Sequence, residues 1–290
     1  GMADLYDALK PYMDSFEGNA DENTIIETDL TDKPLQVTII GRPNVGKSTL
    51  INYLLGQERL VTADQPGVTR DAIAVDWQYK GRPIKLIDTA GMRRKAHVQD
   101  KLEKLAYQDA LRAVRYAQIT ILLLDHETPL AKQDAIIANQ AIEEGRILLI
   151  AVNKWDLVEE KKKYLDDVIY KLSKTLPQVK GIPCIPITAK TGANVEKLLD
   201  QALQIYDLWN TRLSTGRLNR WLQDIVSYHP PPIVGRTRLR IKYISQIKTR
   251  PPTFVLFTSK SKEIPESYIR YLLNDLRKTF QLPGVPIRIH

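Results

Sequence analysis

The sequence predicts an α/β protein: a mostly parallel sheet with helices on both faces over residues 34–213, then a small α+β domain over 214–290. Three observations carry this. From Gln36 onward, short apolar runs alternate with longer amphipathic ones, the pattern of doubly covered strands separated by helices. Past Gly216 the order changes, and two strands precede a helix and a last strand. The length, 290 residues, suits two ordinary domains, each able to bury a core.

The elements follow in chain order. Residues 2–12 have the spacing of one short amphipathic helix. Asp14–Asp32 holds seven acidic residues and no basic one, with few large apolar side chains, and reads as a linker. Strands are expected at Gln36–Ile40, Ala72–Tyr79, Ile84–Ile87, Ile119–Asp125, Ile147–Val152 and Pro183–Ile187. Helices are expected at Lys47–Leu54, Val98–Arg115, Ala131–Glu144, Lys161–Thr175 and Val195–Leu213. Only Lys80–Gly81–Arg82–Pro83 joins the second and third strands, so that pair is an antiparallel hairpin. In the second domain, Arg217–Tyr228 reads as a helix stopped by His229–Pro232. Strands follow at Arg238–Tyr243 and Thr253–Thr258, then a helix at Pro265–Phe280 with proline at its start, then a strand at Val285–Ile289. This order implies a three-stranded sheet backed by two helices.

Composition narrows the function classes. With 43% hydrophobic and 26% charged residues the chain is of the soluble globular type. No apolar run approaches the roughly 18 residues of a membrane span, so no membrane partner is expected. The acidic N-terminus shows no signal peptide, and the single cysteine, Cys184, excludes a disulfide framework. Together these suggest a reducing, cytoplasmic location. The four histidines show no ligand spacing and argue against a zinc site. The net charge of +8 is uneven: residues 211–290 carry a balance of +11. That leaves two readings open, a solvated basic face or a surface for phosphate backbones.

Three short motifs carry the chemistry, and a fourth completes them. Gly41-Arg42-Pro43-Asn44-Val45-Gly46-Lys47-Ser48, followed by Thr49, fits GxxxxGK[ST] between a strand and a helix. Its glycines let consecutive N–H groups point inward at a triphosphate, the helix adds its positive end, Lys47 reaches the β- and γ-phosphates, and Ser48 binds Mg²⁺. Asp88-Thr89-Ala90-Gly91 ends the third strand. Its carboxylate can hold Mg²⁺ through a water, and Gly91 can bring its N–H to the γ-phosphate. Asn153-Lys154-Trp155-Asp156 chooses the base. The Asp156 carboxylate accepts from both guanine edge donors, where adenine would leave it unpaired, a difference of about 10³-fold or more. Asn153 ties this loop to the phosphate loop, and Lys154 lays its stem across the base. Thr188-Ala189-Lys190 completes the pocket, with the Ala189 N–H as donor to the guanine carbonyl.

In this order the motifs resemble a Ras-like P-loop GTPase of the translation-factor-related class. More fully, the chain resembles the Der (EngA) family of bacterial ribosome-assembly GTPases, which have two tandem G domains and a C-terminal KH-like domain. The resemblance implies a second G domain at 34–213 and a KH-like domain at 214–290. It also implies a remnant of a preceding G domain with its acidic linker at 1–33, nearly all of that first domain being absent. It further implies GTP/GDP as ligand, Mg²⁺-dependent GTP hydrolysis, and the large ribosomal subunit or its precursor, with its rRNA, as partner. The preceding G domain would be a second partner; no homo-oligomer is inferred. Thr69 would be the switch I threonine, closing over Mg²⁺ and the γ-phosphate.

Met92 departs from the glutamine that Ras-like enzymes use to orient water, because a thioether cannot do so. The family resemblance supplies potassium instead, held against the phosphates with Asn44 as a ligand. The C-terminal domain departs too: Gly216, Gly235 and Gly284 form no GxxG, the RNA clamp of KH domains. Arg236, Arg238, Arg240, Lys242, Lys248 and Arg250 cluster there and could meet rRNA phosphates or the acidic G domain. Trp221 and Tyr243 are expected in the core rather than as base-stacking platforms. Two alternatives to a ribosome-assembly GTPase stay open: a non-hydrolysing, nucleotide-sensing RNA-binding module, or an Era-like or tRNA-modification GTPase.

Overall fold

The computed structural model describes residues 33–56, 75–87, 100–234, 237–259 and 264–290, with only the backbone described at 75, 100–107, 234, 237 and 238. These residues gather into two compact units, 33–210 with 274–287, and 211–273 with 288–290.

The first unit holds β1 (Leu35–Ile40), α1 (Lys47–Leu55), β2 (Val75–Tyr79), β3 (Arg82–Leu86), α2 (Asp100–Tyr116) and β4 (Ile119–Asp125). After these come α3 (Lys132–Glu143), β5 (Ile147–Asn153), α4 (Lys161–Thr175), β6 (Cys184–Pro186) and α5 (Val195–Trp209). The six strands form one sheet in the order β2-β3-β1-β4-β5-β6. Every pairing is parallel except β2 with β3. The β2–β3 turn is shorter than expected. Lys80 and Gly81, at φ 48 and 79, make the whole turn, while Arg82 and Pro83 already belong to β3.

β4 and β5 are apolar almost throughout, because both faces of the sheet are covered. Leu122, Leu124, Leu148, Ile150 and Val152 pack with Val114 of α2, Ile137 and Ala138 of α3, and Val168 and Leu172 of α4. Alternate residues such as Leu123 and Leu149 are equally buried on the other face, where α5 lies against β5. This layering sets the ends of β1, β4, β5 and β6 in one row, and the described motifs follow the ends of β1, β5 and β6. α5 stops at Trp209 rather than Leu213. Asn210 terminates it, its N–H and its side-chain amide both bonding to the Tyr206 carbonyl.

The second unit holds α6 (Thr215–Tyr228), β7 (Ile233–Val234), β8 (Thr237–Arg238), β9 (Ile241–Thr249), β10 (Pro252–Thr258), most of α7 (Glu266–Thr279) and β11 (Arg288–Ile289). β11, β10 and β9 form the expected three-stranded sheet. Ser214 caps α6 by accepting from the Arg217 N–H.

Three expectations are corrected here. Arg238 does not open the β9 strand: it pairs with Ile233 in a separate two-stranded ladder, and β9 runs from Ile241 to Thr249. The last strand is two residues long, not five, since only Arg288 and Ile289 pair with β10. Trp221 is core, but Tyr243 is only half-buried. Strand alternation puts Ile244 and Gln246 inside and Tyr243 outside, beside Phe257, whose side chain is 51% exposed.

Candidate functional site

β1 runs directly into the phosphate loop, and two glycines make the bend possible. A Cβ on Gly41 would lie 2.4 Å from the Leu123 carbonyl oxygen. Gly46 sits at φ +100, and a Cβ there would lie 2.2 Å from Nδ2 of Asn153. Only Val45 of the loop is deeply buried and anchors it; Pro43, Asn44, Ser48 and Thr49 are exposed, and Asn44 has φ 64. α1 starts at Lys47 with neither a side-chain cap nor an acidic residue in its first turn. Its positive end therefore faces the loop without a neighbouring carboxylate of its own. The Lys47 ammonium donates to the carbonyls of Gly41 at 2.8 Å and Arg42 at 2.6 Å, so its charge rests on the rim of the loop.

Asn153, at the end of β5, is the junction. Its Nδ2 donates to the Val45 carbonyl at 2.7 Å, and its Oδ1 accepts from the Ala189 N–H at 2.9 Å. One buried side chain thereby joins the phosphate loop, the base-reading motif and the segment after β6. The Trp155 N–H donates to the Ile187 carbonyl at 3.1 Å, and the Thr188 hydroxyl donates to Asp156 Oδ1 at 3.2 Å. Asp156 remains exposed, as does Lys190. Lys154 takes a left-handed conformation, φ 58, and its ammonium meets Asp125 Oδ2 at 2.7 Å.

Asn153, Lys154, Trp155, Asp156, Thr188, Ala189 and Lys190 therefore lie together with residues 41–49. Thr69, Asp88, Thr89, Ala90, Gly91 and Met92 fall outside the described residues. Two carboxylates escaped the motif reading. Asp125 ends β4 beside the end of β5, and its position in the row of strand ends was the available signal. Burial alone would raise it, but Lys154 and the Glu127 N–H outweigh burial and hold it below the usual carboxylate range. Asp134, in the first turn of α3, is fully buried; it accepts from the Ala131 N–H at 2.9 Å and from Arg42 Nε at 3.1 Å. Burial pushes Asp134 up despite Arg42.

For Mg²⁺, the hydroxyl of Ser48 at the start of α1 is a hard-oxygen donor suited to that ion. Among the described residues no group of three His, Cys, Asp or Glu could hold a metal. Nor, among them, is any helix long and apolar enough to cross a membrane.

Known proteins share this organisation. Residues 36–154 match the family described as 50S ribosome-binding GTPase, and residues 212–290 match the C-terminal KH-domain-like family of EngA bacterial GTPase enzymes. GTPase Der of Brucella anthropi is 51% identical over 269 residues, covering 93% of this chain and 56% of that protein. GTPase Der of Bartonella henselae is 49% identical over 282 residues, covering 97% and 58%. A solved structure of Era with MgGDPNP and a 16S ribosomal RNA segment is 19% identical, with a TM-score of 0.45, over 89% of this chain and 93% of that one, too weak a likeness to carry anything further. The chain spans about half the length of the curated relatives it matches. With a Ras-like GTPase fold, an EngA-type KH-like segment and 51% and 49% identity to two GTPase Der proteins over most of its length, the chain belongs to the Der (EngA) family of GTPases.

Proposed function

We propose that this chain binds GTP and GDP, hydrolyses GTP, and acts in the assembly of the large ribosomal subunit. The carrying observation is the pair of hydrogen bonds by which Asn153 donates to the Val45 carbonyl and accepts from the Ala189 N–H, which supports reading three separate motifs as one site. Asp156 would accept from guanine, and the Ala189 N–H would donate to its carbonyl. Lys47 would exchange the carbonyls of Gly41 and Arg42 for phosphate oxygens, a stronger charge-assisted pairing. Mg²⁺, when bound, offsets phosphate charge, and Ser48, Thr69 and Asp88 are the side chains that would hold it.

In the same reading Gly91 donates to the γ-phosphate, and Asn44, exposed in the loop, would face a potassium ion that offsets transition-state charge. The working division is a GTPase domain over 34–213 and a KH-like domain over 214–290. The +11 balance of residues 211–290 supports contact with rRNA phosphates. Arg240, Lys242 and Lys248 are exposed there; Arg236 lies outside the described residues.

Two assays test the proposal: GTP turnover by the purified chain, and its co-sedimentation with large ribosomal subunits in GTP-analogue and GDP states. Turnover with nucleotide-dependent co-sedimentation is expected. GTP binding without turnover would leave a nucleotide-sensing module.

A further inference from the structure

The phosphate loop and the base-reading motif meet a second time, through a segment that no motif covers. Residues 126–131 connect β4 to α3 and are held at three points. At the start, the Glu127 N–H donates to Asp125 Oδ1 at 3.2 Å, while Asp125 Oδ2 holds Lys154 of the base-reading motif. In the middle, Arg42 of the phosphate loop donates through Nη2 to the Thr128 carbonyl at 2.5 Å. At the end, Asp134 Oδ2 accepts from the Ala131 N–H and from Arg42 Nε. A polar path thus runs from Lys154 through Asp125, residues 127–131 and Asp134 to Arg42.

The pairing is poorly explained as a contribution to stability alone. Asp134 is fully buried, and its Oδ1 has no hydrogen-bond partner among the described residues. A buried carboxylate with one oxygen unpaired is costly to keep, and a neutral pair of the same size would be tolerated at least as well. The geometry does achieve something else. Arg42, the second residue of the phosphate loop, is fixed to two acceptors outside that loop, the Thr128 carbonyl and Asp134 Oδ2. The backbone that must present its N–H groups to phosphate is thereby pinned from outside.

We propose that Asp134, acting through Arg42, is a positioning residue that holds the phosphate loop in register with the base-reading motif, so that the affinity for guanine nucleotide depends on both halves of the 126–131 bridge. This rests on the nucleotide site proposed above. Neither residue needs to touch the ligand through its side chain. Both act by limiting where the loop backbone and Lys154 can be.

The test uses the full 290-residue chain and GDP as the probe. Equilibrium dissociation constants are measured for wild type, Arg42→Met, Lys154→Met, the two combined, and Arg42→Met with Asp134→Asn, with thermal stability recorded for each in the absence of nucleotide. Arg42→Met leaves a buried carboxylate uncompensated and should lose stability. Adding Asp134→Asn removes that charge and should restore stability while GDP affinity stays about 10-fold or more below wild type. Because Arg42 and Lys154 pin one segment, their combined effect should fall short of the product of the single effects by about 3-fold or more. GDP affinity within about twofold of wild type in the stable Arg42→Met/Asp134→Asn protein, or independent, multiplying effects of Arg42 and Lys154, would overturn the proposal. Absence of GDP binding by the wild type would instead overturn the reading of the site itself, and the bridge with it.

Discussion

Gly46 and Asn153 are complementary: the space that a Cβ on Gly46 would fill is occupied, at 2.2 Å, by the Asn153 amide nitrogen. That nitrogen is held there by the Val45 carbonyl, and the opposite amide oxygen is held by the Ala189 N–H. The glycine of the phosphate loop thus does more than tolerate φ +100. It leaves room for the side chain that ties the base site to the loop. Gly46→Ala should lose about 1–3 kcal/mol of stability from backbone strain and displacement of Asn153. Asn153→Ala in the same chain should cost less than it does alone, because Asn153 is already displaced. Urea denaturation of the two single variants and the double variant measures this, and strictly additive losses would refute the relationship.

Asp156 should set guanine selectivity. It is exposed and, among the described residues, accepts from the Thr188 hydroxyl through Oδ1, which leaves acceptor capacity toward a base. Asp156→Asn places a donor opposite guanine N1–H and should shift preference from GTP to XTP, whose exchanged oxygen accepts from it. Competition titrations of GTP and XTP against both proteins decide it. An unchanged preference would remove Asp156 from the base site.

Hydrolysis should be faster in KCl than in NaCl at equal ionic strength, and the difference should vanish in Asn44→Ala. Met92 cannot orient water, and Arg42, the arginine of the phosphate loop, is committed to Asp134 and Thr128. The missing positive charge, worth about 10³-fold or more in rate, must come from elsewhere. Single-turnover rates in the two salts test this. Equal wild-type rates would sink the potassium mechanism and direct attention to Arg70, Arg93 or a partner.

Charge rather than base reading should govern RNA association by the KH-like domain. Reversing Arg238 and Arg240 to Glu should weaken binding to RNAs of unrelated sequence alike and flatten the dependence of log K on log salt. Filter binding over a salt series provides the slope. Strong preference of the wild type for one short sequence would contradict this prediction.

Cys184 should resist alkylation. It packs against the apolar cluster between the sheet and α2–α4, and burial pushes its thiol up to about 12. At pH 8 that leaves roughly a thousandfold less thiolate than an ordinary cysteine has. Mass spectrometry after iodoacetamide treatment should find the folded protein unmodified and the urea-unfolded protein labelled. Equal labelling of both would show that the thiol is accessible and ionised in the native state.

The sequence by itself determined the layout of the fold and the places of the motifs along it. Strand–helix alternation, a glycine-rich bend between β1 and α1, and motifs placed after successive strands are all written within a few consecutive residues. Such signals act locally through hydrophobic period and backbone freedom. Α helix end such as that of α5 was less legible, because Thr211–Leu213 can continue the pattern and only the Asn210 cap stops it. The β7–β8 ladder was missed because two-residue strands carry no period.

Tertiary structure alone decided how the pieces lock together. Asn153 reaches Val45 across 108 residues of chain, and Arg42 reaches Asp134 across 92. Neither pairing leaves a mark on the local pattern. The same holds for Tyr243, whose apolar ring predicts burial until pairing with β10 puts it on the outer face beside Phe257. A hydrogen bond or a buried charge is favourable only where a particular partner arrives at a particular distance. The sheet order β3-β1-β4-β5-β6 brings those partners together, and spacing along the chain does not record it.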